Sequence, residues 1–221
     1  AEFDRPSTYN GTWKEKKLST KKSSSGRNSG AYFTFDTDEI EKINYRIAIS
    51  FVSIENAKEN LRNEEKHLTF EEYQRETSKE WDSYLSTIKV KSKNEDRIKQ
   101  FYTHFYHSLI HPNIVSDING EYMGADFKIH KTKENREQYS SFSVWDTYRT
   151  QGQLIAMLFP KKSSDMMQSL VDFAEQAGGY GRWILANIET GIMQGDPTPI
   201  LISNSFAFGG DDFDLKTAYR Y

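Results

Sequence analysis

The chain of 221 residues carries 29 Lys and Arg against 32 Asp and Glu, so its formal net charge is -3. This balance excludes an overall electrostatic bias toward nucleic acid or another polyanion. A hydrophobic fraction of 36% and an aromatic fraction of 14% exclude global disorder, although the mean hydropathy is -0.77. The sequence contains no cysteine, which excludes disulfides, thiolate zinc sites and cysteine nucleophiles.

The chain gives little indication of a membrane or nucleic-acid partner. No run approaches the roughly 18 consecutive apolar residues of a membrane-spanning helix, and the first residues lack the basic-then-apolar pattern of a signal peptide. The Lys-rich beginning contains no interleaved aromatic residue apart from Trp13, which argues against nucleic-acid binding. We therefore expect neither partner, and localisation stays unknown.

The first 30 residues are rich in Ser, Thr, Lys and Gly and predict a solvated loop or hairpin, with an anion-binding patch as the alternative. The basic residues of this segment are Lys14, Lys16, Lys17, Lys21, Lys22 and Arg27.

The next segment has the pattern of a strand. Hydrophobic side chains alternate with other residues from Ile43 to Phe51, which is typical of a half-buried strand. Phe33 and Phe35 predict its antiparallel neighbour, with a turn near residues 36–41.

After Ile54 the hydrophobic period becomes that of a helix. Thr69 and Glu72 form a capping box at the start of an apolar stripe that continues to Ile88. The order of strands followed by helices predicts the α+β class, with a boundary near residue 55.

Three further helices are expected. Asn94 predicts the cap of a helix that ends before Pro112. A second stripe begins after Ser164 and stops at Gly178, and Pro199 opens a third helix that stops at Gly209.

Polar and aromatic residues concentrate in the connections between these helices, where sites on helical scaffolds are usually found. Trp145 is followed by Asp146, and Arg149 comes close behind. This combination suits a sugar, because an indole packs on pyranose C–H groups, a carboxylate accepts hydroxyl protons and an arginine orients the carboxylate. The structural alternative is a buried tryptophan beside a salt-bridged aspartate.

Five ordered segments of the chain resemble glycoside hydrolase family 92, the calcium-dependent exo-acting α-mannosidases, over about residues 31–210. The matching segments are Ser50–Ala57 with Asn60-Leu61, Phe101–Thr103 with Tyr106-His107 and His111-Pro112, Asp117–Gly120 with Tyr122–Gly124 and Asp126, Trp145–Arg149, and Glu189-Thr190 with Met193 and Gly195.

The resemblance implies an architecture. It implies the end of a β-sandwich domain in residues 1–54, linker helices in residues 55–92, and the first helices of an (α/α)6 barrel in residues 93–221. The active site of the family lies between the sandwich and the barrel, so this chain is expected to hold only part of each.

The resemblance also implies a function, namely part of an exo-acting, inverting α-mannosidase, α-1,2-specific, that hydrolyses terminal mannose from glycans. The expected partners are a mannose-containing glycan and the missing remainder of the same enzyme. Calcium is the implied cofactor of the full-length enzyme. Its ligands are expected mostly outside this chain, so no metal ligand is assigned within it.

The implied substrate-binding residues are Trp145, Asp146, Arg149 and, as a weaker candidate, Glu189. A structural carboxylate bonded to loop amides is the alternative interpretation of Glu189. Two other functions stay open. In one, Asp146 and Glu189 are themselves the acid and base of a compact glycosidase, and in the other the chain is a carbohydrate-binding or assembly module without catalysis.

No catalytic residue is assigned within the chain. The general acid of the family lies in a motif of the form E-G-N followed by W-Q-Y, and its general base in G-N-D-D followed by G-Q-M-S-A-W. Neither motif occurs in this sequence.

The 221-residue polypeptide alone is therefore expected to release no mannose, because both catalytic carboxylates are absent. The measurement is release of the aryl group from an aryl α-mannoside with and without added calcium. Calcium-dependent turnover by a preparation free of contaminating enzyme would contradict this expectation and support the compact glycosidase.

Overall fold

The computed structural model describes residues 1–38, 42–65, 68–133 and 135–221. The chain divides into two compact units, Ala1–Ala48 and Ile49–Tyr221. Among the described residues, no helix is both long and apolar enough to cross a membrane.

The first unit is built from short antiparallel strands. Strands β2 (Tyr9–Lys14), β3 (Lys17–Ser19) and β4 (Ser29–Thr34) form a sheet in the order β3-β2-β4. Strands β1 (Glu2–Phe3) and β5 (Tyr45–Arg46) form a separate pair. The hairpin predicted for the Lys-rich segment is confirmed as β2 and β3.

The long strand predicted from Ile43 to Phe51 is wrong. Only β5 is a strand, and Ile47 and Ile49 are 61% and 71% exposed. β4 is a strand as predicted, but it pairs with β2. Hydrophobic alternation was not sufficient to predict the strand, because a strand also needs a hydrogen-bonded neighbour. β5 has such a neighbour, β1, over two residues only. The predicted turn near residues 36–41 lies partly outside the described residues.

The second unit contains the helices of the described chain. They are α1 (Ile54–Glu65), α2 (Phe70–Leu85), α3 (Glu95–Ser108), α4 (Val144–Thr147), α5 (Gln151–Leu158), α6 (Pro160–Ala177), α7 (Thr198–Ala207) and α8 (Leu215–Arg220). The predicted caps are confirmed, since Thr69 accepts from the backbone amide of Glu72 and Asn94 accepts from that of Arg97. The α+β class predicted from the sequence is confirmed.

Helix α6 forms the centre of the hydrophobic core. It packs against α5, α7 and strand β9 (Tyr139–Ser140). Leu170, Val171 and Ala174 on this helix are fully buried. The helix ends at Gly178 in the left-handed conformation, as predicted, but begins at Pro160, before the apolar stripe that was expected to start after Ser164. Proline is favoured in the first turn because its missing amide would have no helical partner there.

Three small strand pairs in the second unit were not predicted. The first pair is β9 with β6 (Asn113–Ile114). The second is β7 (Glu121–Met123) with β8 (Ile129–Lys131), and the third is β10 (Ile184–Leu185) with β11 (Ile188–Glu189). Strands of two or three residues are shorter than the run of about four to eight residues over which hydrophobic alternation can be recognised, so the pattern cannot reveal them.

One carboxylate is buried beside this core. Asp165 on α6 is 2% exposed, and its two oxygens lie 3.0 Å from Arg136 Nη1 and 2.6 Å from Lys161 Nζ. The aspartate is thus held between two cations, of which Lys161 is 57% exposed at its side chain.

Replacement of Asp165 by alanine should lower the free energy of unfolding by about 3 kcal/mol, because the 16%-exposed side chain of Arg136 loses its buried partner and keeps only the exposed Asp212. Lys161→Ala is the control and should cost under about 1 kcal/mol, since that ion pair is half exposed and Arg136 remains. Urea denaturation measures both. Equal losses for the two variants would mean that burial of the carboxylate is not what stabilises this region.

Candidate functional site

The two segments that carry the predicted sugar contacts meet in the structure. Ser143, just before α4, forms an antiparallel bridge with Trp183, just before β10. The backbone amide of Val144 donates to the carbonyl of Arg182 at 3.0 Å, and the amide of Ile184 donates to that of Phe142 at 3.0 Å. The segment bearing Trp145, Asp146 and Arg149 is therefore fixed to the β10–β11 hairpin that bears Glu189.

Helix α4 presents Trp145 and Asp146 to solvent. Val144 is fully buried, whereas Trp145 is 37% exposed and Asp146 is exposed. Asp146 Oδ2 accepts a hydrogen bond of 2.5 Å from Ser143 Oγ. The carboxylate is thus oriented by its own helix turn while remaining accessible to a ligand.

The predicted pairing of Arg149 with Asp146 is wrong. Arg149 Nε donates to the Tyr148 hydroxyl at 3.1 Å, and its guanidinium carbon lies 5.4 Å from the centroid of that ring. No ion pair joins Arg149 to Asp146 within the described ranges. Residues three apart face one another only on a continuing helix, and α4 ends at Thr147.

The Glu189 carboxylate accepts hydrogen bonds from backbone amides just before and just after the β10–β11 hairpin. Its Oε2 accepts from the backbone amides of Arg182 and Trp183 at 2.7 and 3.2 Å, and its Oε1 accepts from the amide of Gly191 at 3.0 Å. A carboxylate offers about four acceptor positions, so three amides occupy most of its capacity. These contacts favour the structural interpretation of Glu189.

Gly181 leaves the space that this carboxylate occupies. A Cβ atom at position 181 would lie 2.7 Å from Glu189 Oε2 and 2.6 Å from Ile184 Cγ1, closer than real Cβ contacts. The carbonyl of Gly181 in turn accepts from Thr198 Oγ1 at 2.5 Å, at the start of α7. The hairpin loop is therefore anchored on both sides of this residue.

Two polar atoms of the same loop are buried without a partner. They are Arg182 Nε and Trp183 Nε1, although Arg182 Nη1 donates to the carbonyl of Gly195 at 3.0 Å. Buried donors are usually satisfied in native proteins. Neither residue was predicted from the sequence, because a lone arginine or tryptophan carries no spacing signal.

The polar loop at Asp117 is a structural junction. The Asp117 carboxylate is 6% exposed and accepts from Ser50 Oγ at 2.7 Å, Asn56 Nδ2 at 2.8 Å and Asn60 Nδ2 at 2.7 Å. Its acceptors are therefore taken by protein donors. Over the described chain, no group of three or more His, Cys, Asp or Glu residues is arranged to hold a metal ion.

Two clefts, of about 870 and 620 Å³, are lined by none of the predicted sugar contacts. The smaller one contains Asp172, which no sequence signal indicated because it lies on the mostly buried helix α6. Burial raises the pKa of the Asp172 carboxyl and raises the pKa of Tyr122, in the same cleft, to about 12. Asp126 has a lowered pKa, mainly because it is hydrogen-bonded to His130.

The sequence profile of the glycosyl hydrolase family 92 catalytic domain matches residues 56–221. The chain belongs to this family. No curated protein gives a significant match. Membership agrees with the resemblance seen in the five sequence segments.

Solved structures of family 92 share this fold. The inverting mannosidase of Bacteroides thetaiotaomicron VPI-5482 aligns at a TM-score of 0.88 with 24% identity, over 99% of this chain and 30% of its own. An α-mannosidase of Bacteroides thetaiotaomicron in complex with mannoimidazole aligns at 0.81 with 22% identity, again over 99% and 30%. The family member ccman5 aligns at 0.80 with 27% identity, over 98% and 29%. The chain thus spans about 30% of the length of these relatives.

The contacts of Glu189 give a prediction for this family 92 chain. Glu189→Ala should lower the free energy of unfolding by about 1.5 to 3 kcal/mol, because three loop amides lose a charged acceptor. Urea denaturation followed by tryptophan fluorescence measures the change. Glu175→Ala, which removes an exposed carboxylate from α6, is the control and should change stability by under about 0.5 kcal/mol.

A different result would support the interpretation of Glu189 as a sugar contact. That result is an unchanged unfolding curve for Glu189→Ala together with weaker binding of mannoimidazole by the same variant.

Proposed function

We propose that this family 92 chain is part of an exo-acting, inverting α-mannosidase, α-1,2-specific, that removes terminal mannose from glycans. The observation that carries the proposal is the exposed pair of Trp145 and Asp146, oriented on α4 in a chain whose family is established. Two relatives support it by their descriptions, one as an inverting mannosidase and one as an α-mannosidase bound to mannoimidazole.

The proposed sugar contacts follow from the geometry of α4. The exposed part of the Trp145 indole offers an apolar face for pyranose C–H groups. Beside it, the Asp146 carboxylate can accept hydrogen bonds from hydroxyl groups of the terminal mannose, since only Ser143 donates to its side chain among the described contacts. Arg149 is retained as a candidate contact to the sugar itself, because its pairing with Tyr148 leaves it exposed.

Catalysis in the proposed enzyme needs two carboxyl groups roughly 6.5 to 9.5 Å apart, one to protonate the leaving oxygen and one to activate water. Neither is assigned in this chain, so its contribution is to bind and orient the terminal sugar. The division into sandwich (1–54), linker (55–92) and partial barrel (93–221) belongs to the same proposal. The remainder of the enzyme is then the partner that supplies the acid and base.

Calcium is proposed only for the whole enzyme. The described residues do not form a metal cage, and the acidic loop at Asp117 is occupied by hydrogen-bond donors. No sugar contact proposed for this chain depends on the ion.

A carbohydrate-binding or assembly module without catalysis is the second candidate. The binding of Glu189 to loop amides favours it over a compact glycosidase, because this removes one of the two carboxylates that such an enzyme would need. Binding of mannoimidazole by the 221-residue chain, without turnover of an aryl α-mannoside, would support the module over the compact glycosidase.

Asp146→Asn tests the proposed sugar contact. It should lower kcat/KM of the complete enzyme on an α-mannoside by roughly 10 to 200-fold, because a charge-assisted hydrogen bond of about 1.5 to 3 kcal/mol is lost. Tm should change little, since Asp146 is exposed. Asp211→Asn, at another exposed carboxylate, is the matched control and should leave both quantities unchanged.

A large fall in Tm with unchanged kcat/KM at a permissive temperature would contradict the contact. Asp146 would then stabilise the α4 turn through Ser143 and would not bind sugar.

A further inference from the structure

The cleft of about 620 Å³ lies between the β7–β8 hairpin and helix α6, within the second unit. No sugar contact proposed on α4 lines it. Its volume falls in the range of about 300 to 1,000 Å³ that is typical of small-ligand sites. The side chains that matter below are Tyr122, Asp126 and His130 from the hairpin, and Gln168, Asp172 and Gln176 from α6.

The hairpin wall of the cleft contains an oriented histidine. His130 Nε2 lies 2.9 Å from Asp126 Oδ1, and this hydrogen bond is the main reason that the pKa of Asp126 is lowered. An ionised carboxylate only accepts hydrogen bonds, so Nε2 is the donor. In the neutral imidazole Nδ1 is then an acceptor, and it has no hydrogen-bond partner among the described residues.

Gln176 connects the two walls of the cleft. Its Oε1 accepts from the backbone amide of Ala125 at 3.0 Å, and its Nε2 donates to the Tyr122 hydroxyl at 3.0 Å. Gly124 permits this close approach, since a Cβ atom there would lie 2.8 Å from Gln176 Oε1 and 2.6 Å from His130 Cδ2. The cleft is therefore preformed, and a ligand that enters it has little protein to reorganise.

The α6 wall contains a carboxylate with unused acceptor capacity. Asp172 is half-buried, and its Oδ1 accepts from Gln168 Nε2 at 2.8 Å. Within the described ranges it forms no ion pair and no second side-chain hydrogen bond. Burial raises the pKa of the Asp172 carboxyl, so its ionised form is less favourable in the folded chain than in water. A carboxylate retained in a cleft at this cost is a candidate ligand-binding group.

The lining of the cleft fits a neutral, hydroxyl-rich ligand better than an ion. Acidic and basic residues line it in equal number, namely Asp126, Glu137, Asp172 and Glu175 against Lys128, Lys131, Lys133 and Arg136. Neither sign of charge is therefore favoured. A sugar hydroxyl both donates and accepts, so it suits a wall where free acceptors lie beside amide donors.

We propose that this cleft binds a neutral sugar residue of a glycan at a position distinct from the contacts on α4. Asp172 and His130 Nδ1 accept hydrogen bonds from its hydroxyls, and the remaining amide hydrogens of Gln168 and Gln176 donate to them. The cleft and α4 are both attached to the β10–β11 hairpin, because Asn187 Nδ2 donates to the carbonyl of Gly124 at 2.9 Å. The identity of the sugar as mannose rests on the proposed function, whereas the hydroxyl chemistry does not.

The test measures binding of methyl α-mannoside to the 221-residue chain that carries Asp146→Asn, which removes the proposed contact on α4. NMR signals of the Gln168 and Gln176 side-chain amides report on the cleft. Addition of Asp172→Asn should raise Kd about tenfold, because a charged acceptor is lost. The matched control adds Asp82→Asn, at an exposed carboxylate on α2, and should change Kd less than about twofold.

The melting temperature separates binding from folding. Asp172→Asn should leave Tm unchanged or raise it, because the amide oxygen still accepts from Gln168 and no charge is buried. His130→Phe is a second variant, which keeps a ring stacked on Tyr122 but removes the Nδ1 acceptor, and it should raise Kd about fivefold. A fall in Tm with unchanged Kd for both variants would make these residues structural and overturn the proposal.

Three further outcomes would overturn it: amide signals that do not respond to the mannoside, equal weakening by Asp172→Asn and Asp82→Asn, or tighter binding of inorganic phosphate or Ca²⁺ than of the mannoside at the same amides. Failure of the proposed function is distinguishable. Mannoside binding that depends on Asp172 would stand even if the complete enzyme released no mannose.

Discussion

Helix α6 can be buried along most of its length only because its polar side chains find partners. Ser164 and Ser169 donate to carbonyls of their own helix, and each also accepts from another segment. The amide of Tyr139 in β9 donates to Ser169 Oγ at 2.8 Å, and that of Asp212 donates to Ser164 Oγ at 3.1 Å. The hydroxyls thereby attach a strand and the segment before α8 to the core, and the hydrocarbon contacts of Leu170 form between parts already held in place.

The backbone of the candidate sugar site is fixed by its packing against the α6 core. Val144, the residue before Trp145, is fully buried in the same cluster as α6 and Ile184. Backbone hydrogen bonds connect α4 to the β10–β11 hairpin, and the Glu189 carboxylate fixes the loop that precedes the hairpin. A sugar contact placed here costs little ordering entropy on binding, because its backbone is already fixed by the core.

Sequence patterns predicted those parts of the fold that depend on local chemistry. The caps at Thr69 and Asn94 and the glycine that ends α6 involve residues within a few positions of one another, so they can be seen in one sequence. The prediction of a strand from Ile43 to Phe51 was wrong because strand pairing depends on a partner that is distant in sequence. The short strand pairs were not predicted because they are shorter than the run of residues over which hydrophobic alternation can be recognised.

The predictions for the candidate site also succeeded for local features and failed for contacts that depend on the fold. That Trp145 and Asp146 lie together follows from adjacency, whereas the contacts of Arg149 and Glu189 depended on where α4 ends and how the hairpin folds back. Residue type alone could not decide between a sugar contact and a loop anchor for Glu189. Three amide distances are what distinguish them.

Gly181 has a consequence for how this protein can vary. The space beside it is filled by Glu189 and Ile184, and its carbonyl is held by Thr198. A side chain could be admitted there only if the carboxylate moved away, which would release the loop amides at the same time. Position 181 is therefore coupled to positions 184 and 189, and a side chain at position 181 becomes tolerable only after these neighbours have changed. Sequence drift in this hairpin should proceed through paired replacements, with single changes at position 181 removed by selection.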